Sequence, residues 1–175
     1  MGTEMFTVRI PESHEGRLVA EVQNTAWREA YGHLLPERFY DDAALAARTQ
    51  MWEQVLSGEG GRSAARVALI GGRMVGFASK GPIRDRDVGR LGGERSEQLY
   101  AIYVLADHHG RGVGGGLIEA VLAGAPSCLW VLAENRQARE FYTKHGFAPD
   151  GVVKDLADEE GDEALRGIAE IRMVR

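Results

Sequence analysis

The segment FTVRIP (6–11) alternates apolar and polar residues, the period-two pattern of a strand with one buried face. Beyond it, Ser13 is placed to cap a helix in which Leu18, Val22, Ala26 and Ala30 recur every four residues, and Gly32 is placed to stop it. A second helix is predicted from near Pro36 through Leu45, Trp52 and Leu56, up to the glycine-rich SGEGG stretch. RVALI (66–70) and RMVGFAS (73–79) read as short strands joined by Gly71-Gly72, a two-residue hairpin signal. Residues 81–96 are polar, aperiodic and glycine-containing, which predicts a mobile loop between strands, placed to border a substrate.

The second half is more regular. QLYAIYV (98–104) is a strand, and LADHHGRGVGGG (105–116) leads from it into a helix whose apolar face carries Val113, Leu117, Ile118, Val121 and Leu122. CLWVLAE (128–134) is almost continuously apolar, as expected of a strand buried on both faces. Asn135 then caps a helix with Ala138, Phe141 and Tyr142 on one side, and Gly146 ends it. Residues 147–154 and 164–175 are two closing strands, with the acidic DLADEEGDE as a solvated turn between them. The order is one strand, two helices, three antiparallel-type strands, then helix, strand, helix and two strands, which makes a mixed α/β sheet. No repeat, low-complexity tract or linker divides the chain, so one domain over residues 1–175 is expected.

Composition narrows the chemistry. A 44% hydrophobic share beside 27% charged residues is that of an ordinary globular protein. No apolar run reaches the ~20 residues of a membrane span. The polar start MGTEMFTVRI lacks a secretory pattern, so a cytoplasmic location is expected. The lone Cys128 excludes an internal disulfide and a cysteine metal cluster. A net charge of -5 argues against general binding to nucleic acid or anionic membranes, which leaves a small molecule as the expected partner.

Glycine, at 23 of 175 residues, is over-represented, and much of the excess lies at 58–76 and 110–116. Consecutive glycines between a strand and a helix let backbone N–H groups approach an anion, and the helix N-terminus adds partial positive charge. The turn therefore suits a phosphate or pyrophosphate, with Arg111 adding charge. Tight strand-to-helix packing is the simpler use of such glycines. Gly110, Gly112 and Gly115 also satisfy the G-x-G-x-x-G of dinucleotide sites, with Glu134 ending the next strand. Against an NAD(P) site, LADHH separates the strand from the first glycine, and the chain leaves no room for a second half of a doubly wound sheet.

These motifs resemble the GNAT superfamily of acetyl-CoA-dependent N-acetyltransferases. Val104 to Gly114, VLADHHGRGVG, is similar to the family pattern V-x-P-x-x-R/Q-G-x-G-x-G. It departs from that pattern at Ala106, where proline is common, and at His109, where Arg or Gln is usual. A histidine with reference pKa near 6.5 is mostly neutral at pH 7 and is a weaker pyrophosphate partner, for which Arg111 or backbone amides would compensate. The pattern N-x-x-A-x-x-F-Y-x-x-x-G-F is complete in Asn135, Ala138, Phe141, Tyr142, Gly146 and Phe147. AWREAYGHLLP (26–36), with Trp27 and Tyr31, resembles the two-helix region of a branch that includes polyamine acetyltransferases.

The resemblance implies a single-domain α/β (α+β) fold, a mixed and mostly antiparallel sheet of about seven strands flanked by about four helices. Its fourth and fifth strands would splay, and the pantetheine arm of acetyl-CoA would bond like an added strand to the edge at Ile102, Tyr103 and Val104. It further implies that His109, Gly110, Arg111, Gly112, Val113, Gly114 and Gly115 hold the pyrophosphate, while Asn135, Ala138 and Tyr142 line the arm. The acceptor amine would attack the acetyl carbonyl directly, with a backbone N–H near Val104 stabilising the oxyanion and no metal required.

Tyr142 is the expected proton donor to the departing thiolate, and Glu97 is the expected base, acting through ordered water. Glu94, His33 and His108 stay open as bases. Trp27 and Tyr31, four apart on one helix face, suit an apolar or cation-binding wall for a small-molecule amine. Core packing is the commoner use of such a pair. Family members often dimerise, so a second copy of the chain stands among the expected partners. A CoA-binding module that senses acyl-CoA without turnover is the reading from a different class, and His109 favours it slightly.

Overall fold

A computed structural model describes residues 5–84 and 95–175. The strands lie in the order β1-β2-β3-β4-β5-β7-β6, and the chain forms two compact units: residues 1–80 with 101–123, and residues 81–100 with 124–175. The expected loop at 81–96 falls mostly outside the described residues. Within it, β3 continues to Pro82, and the Ile83 N–H bonds the carbonyl of Ser96.

In the first unit β1 (Phe6–Arg9), β2 (Ala65–Ile70) and β3 (Arg73–Pro82) form an antiparallel ladder, which the second half of β4 (Glu97–Val104) joins. Gly71 and Gly72 have φ of 56° and 79°, the two left-handed residues that a tight hairpin requires. Gly76 answers a different need, because a Cβ there would stand 2.8 Å from the carbonyl oxygen of Tyr103 in β4.

Helix α1 (Gly16–Tyr31) and helix α2 (Asp42–Ser57) pack on one face of these strands, where Val19, Val22, Trp52, Leu56, Val67 and Phe77 form a buried cluster with Tyr103 against it. The expected cap Ser13 is not used. The cap position falls two residues later at Glu15, whose carboxylate goes to Arg9 and the Glu12 N–H instead of the helix. The buried stripe of α1 also differs from the expected one: Val22 and Ala26 are inside, whereas Leu18 and Ala30 face solvent. Pro36 does not open α2. It opens a 3-10 turn, Glu37–Phe39, and α2 starts where Asp41 accepts the Ala44 N–H at 2.9 Å. SGEGG closes into a short helix, α3 (Glu59–Ser63). Helix α4 (Val113–Leu122) buries all five apolar residues expected of it, and its Leu117 stands over Gly76 on the other face of the strands.

In the second unit the first half of β4 runs parallel to β5 (Ser127–Leu132), and β5, β7 (Ala169–Val174) and β6 (Ala148–Asp155) are antiparallel in that order. Helix α5 (Arg136–Lys144) links β5 to β6. The acidic segment is not a plain turn: it forms α6 (Leu156–Glu160) and a 3-10 turn, Glu163–Leu165. Asp155 and Asp162 cap these pieces, and the apolar residues between the acids, Leu156, Ala157 and Leu165, are buried. Arg166 pairs with Asp155, Asp158 and Glu163, so much of that acidity is neutralised locally. No helix among the described residues is long and apolar enough to cross a membrane.

Candidate active site

The glycine-rich turn of the first unit leads directly into the N-terminus of α4. After β4 ends at Val104, a 3-10 turn (Ala106–His108) leads to Gly110 and Gly112, whose φ values of 73° and 82° lie in the left-handed region. The first bond of α4 runs from the Gly116 N–H to the Gly112 carbonyl at 3.0 Å, so the N–H groups of Val113, Gly114 and Gly115 have no acceptor within the helix. No acidic side chain sits in that first turn, and Gly110, Arg111 and Gly112 are exposed. The positive end of the helix dipole is thus open to an incoming charge. Gly116 has another job: a Cβ there would stand 2.6 Å from the Phe6 ring, so it permits packing of α4 on β1.

Both departures from the family pattern have local partners. His109 places Nε2 2.7 Å from the carbonyl oxygen of Val104, so its ring straps the loop back to the strand end. Ala106 donates its N–H to Glu29 Oε2 at 2.9 Å, a bond that a proline could not make, and α1 is tied to the end of β4 through it. Ile102, Tyr103 and Val104 occupy the end of β4, where alternation turns Tyr103 toward α1 and α2. Val104 lies on the opposite face, against Gly76.

Trp27 and Tyr31 come together as expected, edge to face with centroids 5.5 Å apart. Phe39 stacks near-parallel on Trp27 at 6.4 Å, and Tyr103 tilts toward it, also at 6.4 Å. The cation against this wall belongs to the chain itself, for the Arg48 guanidinium lies 4.7 Å from the Trp27 ring. Its Nη1 donates to Asn24 Oδ1 at 2.6 Å, and the Asn24 amide donates to the Tyr40 carbonyl. Burial pulls the pKa of Arg48 below the ordinary arginine value, while Tyr103 favours the charged form. Sequence reasoning missed Arg48, Phe39 and Glu29. Arg48 had a signal: it lies between Leu45 and Trp52 on the apolar stripe of α2, where a charge needs a reason.

In the second unit Glu97 opens β4 opposite Ser127, and the parallel ladder stops at Leu99 with Leu129. Asn135 caps α5 by accepting the Ala138 N–H at 3.0 Å, which commits its Oδ1 to the helix. Tyr142 is buried on the inner face of α5, 8% exposed, with its ring edge-on to Phe147 at 6.0 Å. Nearby on the strands, Arg172 is fully buried and donates to Asp150 at 2.6 Å, and Lys154 lies over Trp130. Burial also pushes the Glu170 carboxyl above the usual range, partly offset by Lys154 at 3.3 Å. Of the other bases considered, His33 is exposed, His108 holds Nδ1 buried without a hydrogen bond, and Glu94 lies outside the described residues.

Known proteins agree with this architecture. An N-acetyltransferase of Bacillus subtilis, itself labelled uncharacterized, is 28% identical over 160 residues, covering 86% of this chain and 84% of its own. A probable N-acetyltransferase of Mycobacterium tuberculosis is 29% identical over 140 residues, 76% of this chain and 74% of its own. Among solved structures, the PaiA N-acetyltransferase of Thermoplasma acidophilum, in complex with coenzyme A, superposes with a TM-score of 0.70 at 14% identity, over 97% of this chain and 98% of its own. A GNAT-family acetyltransferase of Streptococcus pneumoniae gives 0.65 at 19% identity, covering 98% of each chain. The family model described as the acetyltransferase (GNAT) domain matches residues 61–149, which run from α3 through the hairpin, the glycine turn and α5 into the start of β6, and the chain belongs to that family.

Proposed function

We propose that this protein transfers the acetyl group of acetyl-CoA directly to a primary amine of a small molecule within a ternary complex. The observation that carries the reading is the glycine turn after β4: two left-handed glycines, three helix-terminal amides and no competing carboxylate, where family members bind a pyrophosphate. Each N–H bond to a charged oxygen contributes about 1.5–3 kcal/mol, so these amides with Arg111 suffice without the missing Arg or Gln at 109. The edge at Ile102 to Val104 would take the pantetheine arm, and Asn135, Ala138 and Tyr142 would line it. An NAD(P) reading loses support, because β1 with β2, β2 with β3, β5 with β7 and β6 with β7 are all antiparallel, unlike the parallel sheet of a doubly wound dinucleotide fold.

Two proton transfers define the chemistry. An aliphatic amine with pKa near 10.4 costs about 4.6 kcal/mol to deprotonate at pH 7, so a base accelerates attack. We assign Glu97, at the start of β4, to that task through ordered water. The thiolate, with reference pKa about 8.5, leaves more easily. Full proton transfer from a tyrosine near 10 would be uphill by ~2 kcal/mol, so the Tyr142 hydroxyl serves chiefly as a hydrogen-bond donor to sulfur. The proposed setting is the cytoplasm, which suits a single buried thiol, Cys128.

Calorimetric titration with acetyl-CoA beside NADH tests the reading. Saturable binding of acetyl-CoA alone, followed by amine-dependent release of thiol, is the expected result. Binding without turnover on any amine would favour the sensing module, and binding of NADH alone would overturn the assignment.

A further inference from the structure

Arg48 is an unusual residue to find on the inner stripe of a helix. It is half-buried between Leu45 and Trp52, and no carboxylate among the described residues lies within ion-pair distance of it. A guanidinium offers five N–H donors. Here one Nη bonds Asn24 Oδ1, and the ring of Trp27 covers one face. Taking such a group out of water without an anion is costly, and structures keep that arrangement where an anion arrives later. The same cluster holds a second orphan donor, because the Trp27 Nε1–H is buried without a hydrogen bond. The nearby carboxylates are engaged elsewhere: Glu29 with the Ala106 N–H, Glu37 with Arg28. Arg48 thus sets a positive charge directly against the aromatic wall, which repels a polyamine and attracts an anion.

We propose that Arg48, with the Trp27 indole N–H, binds a carboxylate of the acceptor, so that the amine acetylated here belongs to an amino acid or a similar zwitterion and not to a polyamine. The planar fork of arginine matches a carboxylate in two parallel bonds, and the aromatic walls of Tyr31, Phe39 and Tyr103 exclude water around it. The inference rests on the acetyl-transfer reading, and it also explains why an aromatic wall that could face a cationic acceptor is already filled by the chain's own arginine.

The test titrates CoA-loaded protein with N-acetylglycine, N-acetylalanine and N-acetylphenylalanine, and with their amides, product probes that differ only in the carboxylate. The acids are expected to bind about tenfold or more tightly than the amides. That ratio should collapse toward one in Arg48→Met and recover in part in Arg48→Lys, with CoA affinity equal in all three proteins. A merely structural arginine would weaken acids and amides alike. Amides binding as well as acids, equal loss of both in Arg48→Met, or no binding of either overturns the proposal. Failure of CoA to bind would sink the acetyl-transfer reading instead, and the same acid-against-amide comparison on the protein alone would still decide the carboxylate site.

Discussion

Single atoms decide several of the features described above. Replacing the usual proline by Ala106 frees one N–H, and Glu29 uses it; the substitution exchanges ring rigidity for a hydrogen bond from α1. At Tyr142 the hydroxyl is the only atom the mechanism needs, since the ring packs on Phe147 whether or not it is present. Tyr142→Phe should lower kcat by about tenfold to a hundredfold, the value of one hydrogen bond to a charged sulfur, with CoA affinity nearly intact. Unchanged turnover in steady-state assays would remove Tyr142 from the reaction. For Glu97 the informative variable is pH. Glu97→Gln should slow transfer most near pH 7 and lose its deficit as pH approaches the amine pKa of about 10.4, where the acceptor deprotonates unaided. A deficit independent of pH would point to a structural role.

At the scale of elements, the turn before α4 separates conformational from packing glycines. Gly112 holds a left-handed φ of 82° with only the Phe6 ring near its absent Cβ, so a side chain there strains the backbone more than it crowds a neighbour. Gly112→Val should cost at least about 1–2 kcal/mol of stability, because a β-branched residue is a poor left-handed one. It should also abolish CoA binding by tilting the amides of Val113 and Gly114. Thermal melting and titration read the two effects separately, and retained CoA affinity in a folded variant would contradict the pyrophosphate assignment. Helix α2 shows the complementary lesson. Its apolar stripe predicts which face is buried, yet what Arg48 meets on that face depends on α1 and on the 3-10 turn bearing Phe39.

Over the whole molecule, two carboxylates give stability opposite dependences on pH. Glu15 accepts two N–H groups of Arg9 and the Glu12 N–H, chiefly the arginine holding its pKa below the ordinary 4.5. A lowered folded pKa means stability that is present above about 4.5 and lost as pH falls through the folded value. Glu170 is the reverse: burial raises its carboxyl pKa above 4.5, so the folded state holds the proton more tightly and stability falls as pH rises through the raised value. Melting temperatures followed from pH 4 upward should therefore show Glu170→Gln gaining on the parent as pH rises. Glu15→Gln should be less stable than the parent near neutrality by about 1–2 kcal/mol and converge with it in acid. Parallel curves for parent and variant would refute the corresponding shift.

What could be read from the chain alone was whatever depends on neighbours in sequence. The hairpin at Gly71-Gly72, the apolar face of α4 and the Asn135 cap of α5 follow from periodicity and backbone chemistry within a few residues, and the two motifs that carry the family resemblance are local in the same sense. Contacts between one element and the next were not legible there. Glu15 turned to Arg9 and left Ser13 without a capping role, and buried leucines closed the acidic segment into helical turns. Arg48 reached Trp27 and Asn24 across the α1–α2 pair. Periodicity states which face of an element is apolar, but only packing determines which side chain from another element lies against it, and the charge proposed to meet the acceptor is set at that level.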